Sequence, residues 1–288
     1  MEFVKTTTKD KLILQGLLSE SEEKKEAILH IHGMSGNFWE NEFIKSMLAD
    51  YPKEGISFLT VETRGAELLR WFHTSDKKTK LIGNSYEMFE DCIVDIDAWM
   101  NFLKQKGYTN IHLQGHSLGC SKVAYYQKIK KNNFVKSLIF LSPSDMVGLL
   151  VEPNYKEEYR RNLEEAKELI SKGKGTELLS NIQWEFARQC ANSYVNFSFE
   201  NDNLAIFNYY NPERGFETIK SIKVPILAFT GTKDDAIVTD HRESMELLKK
   251  NANNCPKFEY KVFDNAEHSF DGFGNKITKE VLSFLKKS

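Results

Sequence analysis

Cysteine and proline are scarce in this chain, at four and six of 288 residues. Cys92, Cys120, Cys190 and Cys255 stand far apart and form no Cys-x-x-Cys pair. This excludes a disulfide scaffold and reads as reduced thiols in a cytoplasmic protein. An excess of one charge is also missing. Lys and Arg total 39 against 41 for Asp and Glu, a formal net charge of −2. Such a balance gives no electrostatic case for nucleic acid or an anionic membrane surface. No apolar run approaches the ~18 residues of a membrane span. The polar start, Met1-Glu2-Phe3-Val4-Lys5-Thr6, does not read as a signal peptide. Repeats and low-complexity tracts are absent. What remains is 41% hydrophobic and 12% aromatic, enough to bury a substantial core in one large α/β domain or two ordinary ones.

Along the chain, apolar runs of strand length alternate with helical spacing. Strands are expected at 3–5, 11–18, 27–32, 56–63, around Ile111 and Leu113, and at 135–141, 224–230 and 258–263. Helices are expected at 38–51, 86–106, 118–129, 241–251 and 276–286. Residues 67–85 read as loop with a short helical piece. Strand, helix, strand, helix with short glycine turns means parallel pairing through right-handed crossovers. The alternation breaks at 144–223, where two helices (155–172 and 177–191) precede an irregular aromatic stretch, Tyr194 to Tyr210. This block reads as a helical insertion lying on a main domain of residues 1–143 and 224–288.

The chemistry converges on Gly115-His116-Ser117-Leu118-Gly119, between an apolar strand and a helix. A nucleophile on a sharp strand-to-helix turn needs small residues two places either side. The turn lifts the Ser117 hydroxyl above the sheet and aims the Leu118 N–H at whatever the hydroxyl attacks. Serine needs a base to take its proton. Functional groups of open α/β sheets collect in the loops at the carboxyl ends of strands. The loop after the last strand offers His268; the loop after 224–230 offers Asp234 and Asp235. The Gly231-x-x-Asp234 spacing favours Asp234. A second oxyanion donor is expected from His32-Gly33-Met34, at the N–H of Met34.

Blander roles are expected of the other candidates. His116 reads as packing or hydrogen bonding beneath the elbow, and Cys120 as a small core residue. His30 and His32 alternate on one strand face but lack a third metal ligand nearby. Asp145 is the alternative triad acid. The Tyr194–Tyr210 aromatics read as packing in preference to an acyl pocket. No cofactor or metal is called for.

With these motifs in place, the chain resembles the α/β-hydrolase superfamily over nearly its whole length: His32-Gly33-Met34, Gly115–Gly119, Gly231-x-x-Asp234 and Glu267-His268. The run from Tyr86 to Trp99 is similar to a subgroup that includes siderophore-ester hydrolases of fungi, whose substrate is not carried over. The resemblance implies a mostly parallel central sheet of about eight strands with helices on both faces and a helical cap after strand 6. It also implies a serine esterase, with catalytic Ser117, Asp234 and His268, acting on a small-molecule ester. Thioesterase, acyltransferase and amidase chemistry stay open on the same residues, as does a non-catalytic ligand-binding protein of this fold.

Overall fold

A computed structural model of the chain describes residues 1–23, 25–184 and 187–287. Its strands are β1 (Glu2–Thr7), β2 (Ile13–Ser19), β3 (Glu26–Ile31), β4 (Ile56–Val61), β5 (Trp71–His73), β6 (Thr79–Leu81), β7 (Asn110–His116), β8 (Val135–Leu141), β9 (Ile226–Lys233) and β10 (Phe258–Glu267). The helices are α1 (Phe43–Asp50), α2 (Cys92–Gln105), α3 (Leu118–Lys130), α4 (Gly148–Val151), α5 (Lys156–Ser171), α6 (Ala191–Asn196), α7 (Glu217–Lys220), α8 (His241–Asn251) and α9 (Gly274–Leu285). Eight strands form one sheet in the order β1-β2-β4-β3-β7-β8-β9-β10, and β5 and β6 form a separate hairpin. β2 runs antiparallel to β1 and β4; every other pairing in the large sheet is parallel.

The strand period of two divides the core between the sheet's faces. Ala27, Leu29 and Ile31 of β3 join one cluster with Ile96 and Trp99 of α2 and Val123 of α3. Ile28, between them, enters the opposite cluster with Phe43 and Met47 of α1 and Ile277 and Val281 of α9. β8 does the same, with Leu138 and Phe140 on the first side and Ile139 and Leu141 on the other. Central strands buried on both faces are why these stretches read as continuous apolar runs.

Residues 144–223 leave the sheet after β8 and return at β9. α5 packs on α6 through a small cluster of its own, in which Ala166 meets Leu179, Ala191 and Tyr194. Phe197, Phe207, Tyr209 and Phe216 are buried in the main core, and Phe207 meets Phe140 edge-on at 5.4 Å between ring centres.

Several expectations are corrected. The helix expected at 38–51 begins at Phe43, and Trp39 is 52% exposed. Residues 67–85 carry a hairpin and no helix, because Thr74 and Asp76 form a side-chain-bonded turn between β5 and β6. The helix expected from residue 86 starts as a 3-10 turn at Phe89–Asp91, since Glu87 is drawn into the interior. No helix occupies the described residues of 177–190, where Leu178 bridges Cys190 and Gln183 bridges Ala187; residues 185 and 186 of that expected helix lie outside the described residues.

Candidate active site

Ser117 joins β7 to α3 with φ 55° and ψ −125°. A β-carbon-bearing residue holds that conformation only under constraint, at a cost of roughly 1–3 kcal/mol. The constraint is visible. The Ser117 N–H donates to Leu141 O at 2.9 Å, and Ser117 O accepts from the Cys120 N–H at 2.9 Å. A β-carbon on Gly115 would lie 2.3 Å from Gly119 backbone, and one on Gly119 would lie 2.2 Å from Ile31 O. Both glycines are therefore required by close backbone approach, as the spacing predicts. Cys120 is buried, with Sγ against Gly115 O and Leu141 O at 3.2 and 3.3 Å, as a core residue.

The loop after β3 comes against the elbow: a β-carbon on Gly33 would lie 3.0 Å from Ser117 Cβ. His32 is fully buried and organises this loop. Its Nδ1–H donates to Gly33 O at 2.7 Å, and its Nε2 accepts the Thr63 N–H at 3.0 Å. Burial first, and then the charge of Lys122, hold its pKa down to about 3, so the ring is neutral. Leu118 opens α3, and its N–H belongs to the first-turn donors that a helix leaves without an internal partner.

Asp234, at the end of β9, is buried and surrounded by donors. His268 Nδ1 donates to its Oδ1 at 2.7 Å, and the Ala236 N–H reaches the same oxygen at 3.1 Å. The hydroxyls of Ser142 and Thr230 donate to Oδ2, that of Thr230 at 3.0 Å. Burial raises the carboxyl pKa, but these partners, led by His268, outweigh it and bring it to about 2. Burial would lower the His268 pKa, yet Asp234 raises it above the ordinary histidine value. Asp235 is exposed; its carboxylate comes within 4.8 Å of the His268 ring, and its charge also raises the His268 pKa.

Ser117, His268, Met34, Ser144, Tyr155 and Trp184 line one cavity of about 360 Å³, with Met146, Leu149, Asp235 and Ala236 completing the wall. Among the described residues no hydrogen bond joins Ser117 to His268. Ser117 Oγ lies instead 3.3 Å from Ser144 Oγ. Both side chains face the same cavity. His116 lies beneath, where its Nε2–H donates to His268 O at 2.9 Å, and burial holds its pKa near 3. Asp145 points elsewhere: it accepts the Gly148 and Tyr210 N–H groups at 2.8 and 2.9 Å. His30 Nδ1 meets Gln114 at 2.9 Å. None of the Tyr194–Tyr210 aromatics lines the cavity.

Sequence reasoning missed Ser142, Ser144 and Thr63. The signal for the first two was present in Ser142-Pro143-Ser144, which sits at the carboxyl end of β8 like the other site residues. Nothing local marked Thr63, whose role depends on strand neighbours.

Ser117, His268 and Asp234 thus come together above the carboxyl ends of a mostly parallel sheet. The sequence model of the alpha/beta hydrolase fold family matches residues 26–270, and the chain belongs to that family. A curated relative from Mycoplasma genitalium, named "Putative esterase/lipase 2", is 23% identical over 97% of this chain and 96% of its own length. Among solved structures, Est1E from Butyrivibrio proteoclasticus is 17% identical, with TM-score 0.65 over 100% of this chain and 98% of that one. Carboxylesterase CesB from Bacillus subtilis is 16% identical, with TM-score 0.59 over 100% and 93%. At these identities the structural likenesses establish the fold. Among the described residues no helix is long and apolar enough to cross a membrane.

Proposed function

We propose that the protein is a carboxylic ester hydrolase that works through an acyl-enzyme on Ser117. The observation that carries this reading is the pairing of His268 with buried Asp234 beside a serine held at positive φ in the same cavity. The names of the Mycoplasma relative and of CesB support ester hydrolysis.

With Nδ1–H donated to Asp234, neutral His268 keeps a lone pair on Nε2 for the serine proton. Rotation of Ser117 from Ser144 toward His268 starts the reaction. The hydroxyl oxygen bonds to the ester carbonyl carbon as its proton passes to Nε2. The resulting oxyanion is met by the N–H groups of Met34 and Leu118. Collapse breaks the bond to the alcohol, which leaves with the proton from His268. Water repeats the sequence on the acyl-enzyme and frees the acid. None of these steps draws on a cofactor.

Residues 144–223 act as a cap, supplying Met146, Leu149, Tyr155 and Trp184 to the acyl pocket. About 360 Å³ is near the small end of ligand pockets, so esters of short acids are the substrates. Hydrolysis of p-nitrophenyl acetate, butyrate, octanoate and palmitate by wild type and Ser117→Ala tests this. Activity on the short esters that disappears in Ser117→Ala supports the reading; equal rates for the two proteins sink it.

A further inference from the structure

Behind the Met34 loop lies a charged pair that this chemistry does not use. Lys122 of α3 and Glu87, which precedes α2, have fully buried side chains, and Lys122 Nζ donates to Glu87 Oε1 at 2.6 Å. Replacing such a pair by well-packed apolar residues is often neutral or stabilising. Stability alone therefore does not account for an ion pair at this place.

Its contacts lead toward the elbow. Lys122 Nζ lies 3.4 Å from Thr63 Oγ1, and that hydroxyl lies 3.1 Å from His32 Nε2. With the lysine donating to Thr63 Oγ1, the hydroxyl proton is directed to Nε2. The Thr63 N–H reaches the same nitrogen at 3.0 Å. Two donors on Nε2 place the ring proton on Nδ1, where it holds Gly33 O at 2.7 Å. Gly33 C=O and Met34 N–H are the two ends of one trans peptide and point in opposite directions. Fixing the carbonyl on His32 thus fixes the direction of the Met34 N–H. The positive charge of Lys122 also opposes protonation of His32, which would turn Nε2 from acceptor to donor and push Thr63 away.

We propose that Lys122, held by Glu87, is a positioning residue that acts through Thr63 and His32 to aim the Met34 N–H at the oxyanion. This rests on the reading of Ser117 and Met34 above. A site built this way has its donor oriented before substrate arrives, so the benefit falls on the transition state and not on substrate binding.

The test uses the full chain with p-nitrophenyl butyrate. Lys122→Met is combined with Glu87→Gln so that no carboxylate is left buried alone. Removing an oxyanion donor outright typically lowers kcat by 10²–10³; misaiming one is expected to lower kcat by roughly 10-fold to 100-fold, with KM within about twofold. Thr63→Val, which keeps the backbone donor but removes the hydroxyl, is expected to lower kcat by roughly fivefold, and Thr63→Ser to restore it. Should the double variant fail to fold by circular dichroism, the Thr63 pair decides alone. Folded variants with wild-type kcat, a loss confined to KM, or a Thr63→Ser variant as impaired as Thr63→Val would overturn the proposal. Ser117→Ala separates the two readings. If it is inactive while the Lys122 and Thr63 variants keep full kcat, only the positioning role falls; if it stays active, the hydrolase reading falls.

Discussion

Replacing Asp234 by Asn isolates the charge of the proposed triad acid from its shape. The Ala236 N–H and His268 Nδ1 share Oδ1, while two hydroxyls, which can turn to accept, share Oδ2. The new amide NH₂ therefore settles toward Ser142 and Thr230, and the amide oxygen still accepts from His268 Nδ1–H. The imidazole keeps its tautomer and loses only the negative charge that stabilises its cation. Two unit charges about 4 Å apart at an effective dielectric of about 20 interact by roughly 4 kcal/mol. That corresponds to a kcat loss of about 10³-fold. It is smaller than the ~10⁴-fold seen where the same change also imposes the wrong tautomer in a serine protease.

The pH profile gives a second, independent sign. Only neutral His268 can act as base, so activity rises with pH through its pKa. Asp234 lifts that pKa above the ordinary ~6.5, so the wild-type limb centres above it. In Asp234→Asn burial is opposed only by the weaker charge of Asp235, and the limb moves to lower pH as its plateau falls. Asp235→Asn removes a weaker, exposed charge, so its limb shifts slightly acidward with a rate change under about threefold. Stopped-assay profiles from pH 5 to 9 check all three. A loss under tenfold in Asp234→Asn, a limb displaced to higher pH, or a larger loss in Asp235→Asn would refute the reasoning.

Four further outcomes are expected. Gly119→Ala, whose β-carbon would meet Ile31 O at 2.2 Å, should destabilise by several kcal/mol in urea unfolding; a change below about 1 kcal/mol would contradict the elbow packing. Asp95 is fully buried and holds Arg64 through Nε, Nη2 and the backbone N–H; because Arg64 keeps Asp10 and Asp91, Asp95→Ala should destabilise in the same assay by less than the ~3–5 kcal/mol of a buried charge left alone. Asp234, at about 2 in the fold against 3.8 free, stabilises above pH 4 by roughly 2 kcal/mol. The raised His268 pKa is the other side of the same interaction and adds nothing further. The stability deficit of Asp234→Asn should be largest near pH 5.5, shrinking as pH falls toward 2 and as it rises through the His268 pKa; a pH-independent deficit would argue against the pairing. Leu149→Ala widens the cavity proposed to hold the acyl group and should move the preferred p-nitrophenyl ester to a longer chain, which an unchanged preference would deny.

The parts of this structure legible in the sequence are those whose pattern is local. β8 was readable because Leu138 to Leu141, buried on both faces of the sheet, form an unbroken apolar stretch. The elbow was readable because Gly115 and Gly119 stand where sterics admit nothing larger. The preference for Asp234 over Asp235 rests on spacing; the structure buries Asp234 against His268 and leaves Asp235 exposed. Long-range chemistry was not legible. The start of α2 was misplaced because Glu87, which looks like a surface helix residue, turns inward to Lys122 of another element. The helix expected at 177–191 is absent from the described residues of 177–190 because helical spacing in a short stretch does not outweigh bridges such as Leu178 to Cys190. Ser142 and Thr63 became visible only when the sheet order placed β8 beside β9 and Thr63 beside His32.

Covalent trapping of Ser117 tests the central claim most directly. Incubating the native protein with a fluorophosphonate, followed by mass spectrometry of the digested chain, should give one adduct on the peptide carrying Ser117. Labelling should vanish in Ser117→Ala and slow sharply in Asp234→Asn. An unlabelled native protein, an adduct on Ser144 in place of Ser117, or equal labelling of Ser117→Ala would contradict the account.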